Sequence, residues 1–355
     1  MLNSVITGSG AYIPEIVVKN SDFIINDFFN ASGEKIETDS KEIIRKFQEI
    51  TGINSRRYLR ESQSCSDIAS IAGKNAIENA GIDPEEIDMI IVAQNFGDVI
   101  KGSHQSDNVP SIASRVKHQL GIKNEFCVPY DIIFGCPGWV QGMIQAHMFI
   151  QLGEAKKCLV IGSEALSRVV DPNDRDTMIF ADGAGAVVLE AKEENEKRGI
   201  LSHATVSHTR DEKDFLYMGE SYKKDDNPIK YIKMNGHRIY SYALTQVPNA
   251  IKYCLDKIDL HLSEVDKILI HQANEKMDEA IVKRLYRAFK LNDVPKGIMP
   301  MTIDELGNSS VATVPTLYDM IMRGKMSEHS INKNDIILFA SVGAGMNINC
   351  IVYKS

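Results

Sequence analysis

Short apolar runs alternate with longer amphipathic stretches along nearly the whole chain, and this alternation predicts most of the elements. Residues 87–93 form an almost continuous apolar run, the pattern of a strand buried on both faces of a sheet. Residues 5–12, 128–134, 158–162, 184–190, 268–271, 336–341 and 346–353 read as further strands. Between them, 40–50, 66–80, 110–120, 137–152, 243–258, 275–290 and 313–323 read as helices. For 66–80, Asp67 in the first turn and Gly81 just past the end supply the start and stop signals. Strands alternating with helices predict mostly parallel sheets covered by helices. Residues 192–233 are charged, broken by Gly219 and Pro228, and too long for a plain connection, which predicts a surface excursion near a site.

The pattern also repeats. Ile87-Asp88-Met89-Ile90-Ile91-Val92-Ala93-Gln94-Asn95 is echoed by Val265-Asp266-Lys267-Ile268-Leu269-Ile270-His271-Gln272-Ala273-Asn274. Phe180-Ala181-Asp182-Gly183-Ala184-Gly185 is echoed by Phe339-Ala340-Ser341-Val342-Gly343-Ala344-Gly345. Two landmarks in the same order imply two related α/β halves, 1–190 and 191–355. Ala93 of the first copy is His271 in the second, and Cys136 lies only in the first half. A site at a pseudo-twofold interface between the halves is expected.

Composition narrows the classes. The chain has 355 residues, 43% hydrophobic and 25% charged, as in an ordinary soluble globular protein. A net charge of -8 argues against a nucleic-acid partner. No apolar run approaches the roughly 18 residues of a membrane span, and the N-terminus does not read as a signal peptide. The cysteines Cys65, Cys127, Cys136, Cys158, Cys254 and Cys350 show neither paired nor ligand-like spacing, which suits a cytoplasmic protein without disulfides or zinc.

Cys136 falls on a strand-to-helix turn, Gly135-Cys136-Pro137-Gly138. With Pro137 at the first helical position, Cys136 would be the N-cap, where unpaired N–H groups and the helix dipole favour the thiolate. The same amides could hold an oxyanion. The turn alone reads equally well as a buried structural cysteine. His271 ends a strand, and ligands of open α/β sheets bind off strand carboxyl ends. His147 shares a helix with Cys136, but a rise of about 1.5 Å per residue puts it roughly 16 Å away. Gly307-Asn308-Ser309-Ser310 is a turn before a helix, and Gly343-Ala344-Gly345 is a short glycine-rich turn that is no dinucleotide fingerprint.

Together these residues resemble the β-ketoacyl-acyl carrier protein synthase III family of the thiolase superfamily. The resemblance spans Thr51-Gly52-Ile53 with Arg56-Arg57, Asp171-Pro172-Asn173-Asp174-Arg175, the Phe180 segment, His271-Gln272-Ala273-Asn274, the run from Gly307 to Pro315, and Gly343-Ala344-Gly345. It implies a five-layered αβαβα thiolase fold, usually a homodimer, with no metal or other cofactor. It also implies a Cys136, His271 and Asn308 triad. Cys136 takes an acyl group from a thioester, while His271 and Asn308 bond the malonyl thioester oxygen as carbon dioxide leaves. The main-chain N–H groups of Cys136 and Ala344 form the oxyanion hole. The implied function is condensation of the acyl group with malonyl-acyl carrier protein in fatty acid biosynthesis.

The chain departs from the family in its primer region. Trp139 follows the nucleophile, Lys46 and Ile50 stand where a coenzyme A-binding tryptophan and arginine are usual, and Ile348-Asn349 replaces a Trp-Gly pair. Arg175 matches the family's adenine-side arginine. Val109 stands where a phenylalanine commonly reaches into the partner's acyl pocket, implying a primer longer or more branched than acetyl, unless Trp139 refills the space. The expected substrate pocket is therefore Val109, Trp139 and Arg175, with the primer linked to coenzyme A or to a carrier. Lys276, Lys283 and Lys290 repeat every seven residues on one helical face. With Gln272 and Arg284 they form a candidate docking patch for the acidic carrier protein. Two alternatives stand beside this reading: an enzyme of specialised metabolism joining two longer acyl units, as in alkylresorcinol or polyene pathways, or a non-catalytic subunit of a heterodimer. A subunit without catalysis would have no need of all three triad residues.

Overall fold

The structure, a computed structural model, describes residues 1–103, 105–224 and 228–355. The apolar runs pair into two sheets. Strands β1 (Leu2–Tyr12), β2 (Met89–Ala93), β3 (Val128–Ile132), β4 (Lys157–Ala165) and β5 (Asp182–Glu193) form the first, in the order β1-β5-β4-β2-β3. Strands β6 (Gly199–Ser207), β9 (Lys267–Ile270), β10 (Ile336–Gly343) and β11 (Asn347–Lys354) form the second, in the order β6-β11-β10-β9; a separate hairpin, β7 (Leu216–Glu220) and β8 (Lys230–Met234), stands outside both.

Period-two alternation divides each buried strand between two layers. On β2 and β4, Ile90, Val92, Leu159 and Ile161 pack under α2 (Cys65–Ala80) and α3 (Ile112–Gln119) on the outer face. Their neighbours Ile91, Ala93 and Val160 join a central core. There they meet α4 (Gly138–Leu152), α7 (Thr313–Met322), and Leu269, Ile337 and Phe339 of the second sheet. On the far side, α5 (Gly236–Asp256) and α6 (Glu275–Ala288) cover Ile268, Ile270 and Leu338. A further helix, α1 (Ser40–Thr51), lies beside this stack. The result is the five-layered αβαβα thiolase arrangement.

The first landmark of the repeat is structural. Met89 lies opposite Cys158 and Lys267 opposite Ile337, both in parallel pairs. Asp88 N donates to Lys157 O at 2.9 Å, just as Asp266 N donates to Ile336 O at 2.8 Å. The counterpart of β10 is therefore β4. The second landmark is not equivalent, because its copies enter β5 and end β10, strands at different places in their sheets.

The sheets are also mixed rather than mostly parallel. Among the described residues, the strand pairs β2–β3, β2–β4 and β9–β10 run parallel and the other pairs of the two sheets antiparallel. Segments 166–181 and 344–346 hold short 3₁₀ turns and no crossover helix, so the chain returns antiparallel. The expected excursion over 192–233 holds for the β7–β8 hairpin, which lies outside both sheets, and is corrected in its first part: Gly199–Ser207 is an edge strand of the second sheet. Its short apolar alternation is hidden between charged flanks.

The β7–β8 hairpin is tied to the body by a buried cation. Lys233 Nζ bonds Asp171 and, at 3.1 Å, Asp174, and lies 3.5 Å from the Tyr222 ring centroid. Removing one partner of a buried ion pair leaves charge unpaired in a dry site. Lys233→Ala should cost about 3–5 kcal/mol in urea unfolding at neutral pH. The loss should shrink toward pH 5, because burial holds the Asp174 carboxyl up at about 6 and protonation relieves the unpaired charge. A loss independent of pH would contradict this assignment.

Candidate active site

Three short segments, each fixed by main-chain bonds, meet at one cavity of about 410 Å³. Cys136 stands on the turn between β3 and α4, closed by Gly138 N donating to Gly135 O at 2.9 Å. The helix begins at Gly138 with Pro137 as its cap, so Cys136 lies one residue farther out than the N-cap position expected. His271 follows β9, its N–H bonded to Ala340 O at 2.8 Å. Asn308 bridges to the strand-entry segment before β5: its N donates to Ile179 O at 2.9 Å and its O accepts from Ala181 N at 2.8 Å. Cys136, His271 and Asn308 all line the cavity, as does Ala344.

Burial dominates the electrostatics. Cys136 is partly open to the cavity, but the protein packed around it pushes the thiol up to about 11. The Ser310 hydroxyl, donating to Sγ at 3.4 Å, and the residue's own N–H offset this only in part. The thiolate bias expected from the helix terminus is therefore absent in the resting site, because desolvation outweighs it. His271 is 4% exposed, and burial pulls it down to about 4, which keeps the ring neutral at pH 7. The Ser310 main chain opposes that shift weakly, and Nδ1 has no well-aligned partner among the described residues. Asn308 Oδ1 accepts from Ser310 N at 2.8 Å, so the NH₂ end of the amide is turned away from Ser310.

Other expected site residues divide. Arg175 is not at the main cavity but lines an adjoining one of about 350 Å³, with Lys46 and Ile50. The two cavities share Ile179, Met234, Ile239, Ala273 and Met277, so they form a funnel from the surface toward Cys136. Trp139 is not a pocket residue. It is 1% exposed in the central core, its Nε1 bonded to Val160 O at 3.3 Å and its ring edge-on to Phe339. Standing in the first turn of α4, it faces the inter-sheet layer rather than the cavity. Val109 is 87% exposed and does not line its own chain's cavity.

Gln272 does not reach the surface either. It is fully buried, with Nε2 donating to Pro300 O and Oε1 accepting from Thr302 N, both at 2.9 Å. Lys276, Lys283 and Arg284 are exposed, but Lys283 pairs with Glu279 at 3.0 Å. Lys290 falls beyond the end of α6. Sequence reasoning missed Asn95 and Ser310 as site residues; the segment 192–233 that it placed near a site does supply a cavity wall, through Leu216, Met218 and Ile232 of the hairpin, residues it did not name. Asn95 carried a signal, since it follows the carboxyl end of β2, the repeat counterpart of the strand that His271 follows. Among the described residues no group of three or more His, Cys, Asp or Glu could hold a metal ion.

The raised thiol implies a pH dependence. Thiolate grows as pH climbs toward the pKa, so alkylation of Cys136 by iodoacetamide should rise about tenfold per pH unit. It should still be rising at pH 9; a plateau below pH 8 would show a thiol ionised despite its burial.

Two family models match the chain: 3-oxoacyl-[acyl-carrier-protein (ACP)] synthase III over residues 130–208 and its C-terminal counterpart over residues 255–355. The beta-ketoacyl-[acyl-carrier-protein] synthase III 1 of Vibrio vulnificus is 35% identical over 345 residues, covering 96% of each chain. That of Bacillus cereus is 33% identical over 354 residues, covering 99% of each. The crystal structure of the 3-oxoacyl-[acyl-carrier-protein] synthase III of Aquifex aeolicus superposes with a TM-score of 0.79 at 29% identity, over 99% of this chain and 100% of that one. Likeness of this extent, in sequence and in every layer of the fold, is kinship: the chain belongs to the 3-oxoacyl-[acyl-carrier-protein] synthase III family, the acyl-transferring condensing enzymes of fatty acid biosynthesis.

Proposed function

We propose that the cavity is the condensing centre, with Cys136 as nucleophile and His271 and Asn308 as the decarboxylation pair. The carrying observation is that these three residues, from both halves of the chain, line one cavity. Cys136 sulfur attacks the primer thioester carbonyl, and the carrier or coenzyme thiol leaves. The Cys136 and Ala344 N–H groups receive the negative oxygen of the intermediate. The malonyl thioester then loses carbon dioxide, and its electron pair forms an enolate whose oxygen accepts hydrogen bonds from neutral His271 and from the Asn308 NH₂. The enolate carbon attacks the acyl–sulfur carbonyl, giving the 3-oxoacyl product and returning the Cys136 thiolate. Uncharged donors suit this step, since the enolate is the only charge that develops.

Residues 1–190 and 191–355 are read as the two catalytic halves, and the active form as a cytoplasmic homodimer. The dimer reading rests on β3, an edge strand of the first sheet that begins at exposed Val128 and is flanked by exposed Phe126 and Ile133. An edge strand with exposed apolar residues at its ends invites pairing with another chain. Val109, on the same side, would then meet the partner's cavity. Exposed Lys276 and Arg284 are proposed to meet the acidic carrier protein, with charge mainly raising the association rate. Arg175 and the outer cavity would receive the thioester's carrier arm.

The test is intact-protein mass spectrometry after incubation with acyl thioesters. Cys136→Ala should gain no acyl mass and should not condense. His271→Ala and Asn308→Ala should still become acylated while losing mainly decarboxylation. Acylation of Cys136→Ala, or loss of acylation in the other two, would overturn the roles.

Primer length follows from Val109. Because Trp139 is committed to the core, it cannot refill the space that a smaller residue leaves. Each buried methylene contributes about 0.8 kcal/mol, so two to four extra carbons shift specificity by about one to two orders of magnitude. The profile of kcat/KM against acyl length should favour primers longer than acetyl, and Val109→Phe should move it back toward acetyl. Acetyl as the best primer, or an unchanged profile in the variant, would refute this.

A further inference from the structure

Ser310 touches each of the three residues assigned above. Its hydroxyl donates to Cys136 Sγ at 3.4 Å, its N–H donates to Asn308 Oδ1 at 2.8 Å, and its main chain borders the His271 ring. It does so from a φ of 54°, a conformation rare outside glycine. A hydroxyl has one proton, and its direction depends on what else bonds the oxygen. Here Asn95 decides it: Asn95 Nδ2 donates to Ser310 Oγ at 3.4 Å, which leaves the serine proton for the sulfur.

Asn95 is itself oriented. Its Nδ2 donates to Glu164 Oε2 at 2.6 Å, and its N–H donates to Glu164 Oε1 at 3.4 Å. Its Oδ1 accepts from Gly135 N at 3.0 Å, one residue before the nucleophile. Reversing the amide would break all its side-chain bonds at once. Glu164 is fully buried on β4, and this burial holds it up at about 8. It is therefore largely uncharged at neutral pH and spares a nearby thiolate a like charge.

We propose that Ser310 is the hydroxyl that stabilises the Cys136 thiolate, and that Asn95 and Glu164 are positioning residues that fix the direction of its hydrogen bond. Donation runs from Asn95 to both Glu164 and Ser310, and from Ser310 to Cys136, so each member of the chain has one role. The inference rests on Cys136 being the nucleophile, but its test does not need acyl transfer.

The test measures iodoacetamide alkylation of Cys136, localised by mass spectrometry, alongside the melting temperature. Ser310→Gly keeps the main-chain bonds and suits the positive φ, so it should melt no lower than the parent. Losing a hydrogen bond to a charged atom should slow alkylation at pH 8 by about ten- to a hundredfold. Below pH 11 both thiols gain thiolate about tenfold per unit, so the deficit should hold steady and begin to shrink only above the pH near 11 at which the parent thiol ionises. Asn95→Ala should slow alkylation too, yet add little in the Ser310→Gly background. Glu164→Gln retains an acceptor for Asn95 and should keep the reactivity that Glu164→Ala loses. An unchanged rate in Ser310→Gly, or a deficit that disappears between pH 7 and pH 10, would overturn the role of Ser310 while leaving Cys136 as nucleophile. Additive losses for Asn95 and Ser310, or equal losses in both Glu164 variants, would overturn the positioning roles.

Discussion

The site depends on one close approach of backbone to backbone. A Cβ at Gly343 would lie 2.5 Å from Cys136 N and 2.9 Å from Cys136 Cβ. A Cβ at Gly135, where φ is 66°, would lie 2.7 Å from Ala344 N. Glycine at both positions lets the nucleophile turn of the first half rest directly on the β10–β11 turn of the second. This contact brings the amides of Cys136 and Ala344 to one place, and a side chain at either glycine would push the halves apart. The duplicated fold thus contributes a seam as well as stability, and the chemistry is gathered along it.

The sequence made the layers legible because the strands are nearly pure apolar runs and the helices are amphipathic. It also made the three residues of the proposed triad legible as candidates, since Cys136 and His271 occupy strand ends in a repeat and Asn308 lies in a family motif. What it hid was direction. Trp139 follows the nucleophile in sequence but points into the inter-sheet core, because a helix turns successive side chains by about 100°. Gln272 follows His271 but is consumed in holding Pro300 and Thr302. Adjacency along the chain is a poor guide to adjacency in the cavity wherever a strand or helix alternates its faces.

Strand polarity was hidden for a related reason. Apolar runs reveal burial on both faces but not the sense of pairing, which is set by what connects them. The 344–346 turn is too short for a crossover and forces an antiparallel return. The second landmark misled in the same way: similar glycine-rich words begin β5 and end β10 because both must pass close to other backbone. Gly185 is hemmed by Pro315 and Thr316, and Gly343 by Cys136. Similar packing demands produced similar letters at places that the repeat does not equate.

Charge is suppressed throughout the resting cavity. Burial raises Cys136 and Glu164 and lowers His271, so all three are mainly neutral near pH 7. Such a site holds a thiolate poorly at rest, yet the low dielectric that disfavours the ion strengthens every donor facing it. A hydrogen bond from Ser310 or from the Cys136 and Ala344 amides is worth most once negative charge forms, and little before. The same holds for His271 and Asn308 facing an enolate. In the proposed chemistry, neutral resting groups and facing donors would bind the charge distribution of the transition state more tightly than that of the ground state, which is the condition for raising a rate. A more hydrated cavity would ionise the thiol more readily, but it would weaken the donors on which the proposed acyl transfer and decarboxylation depend.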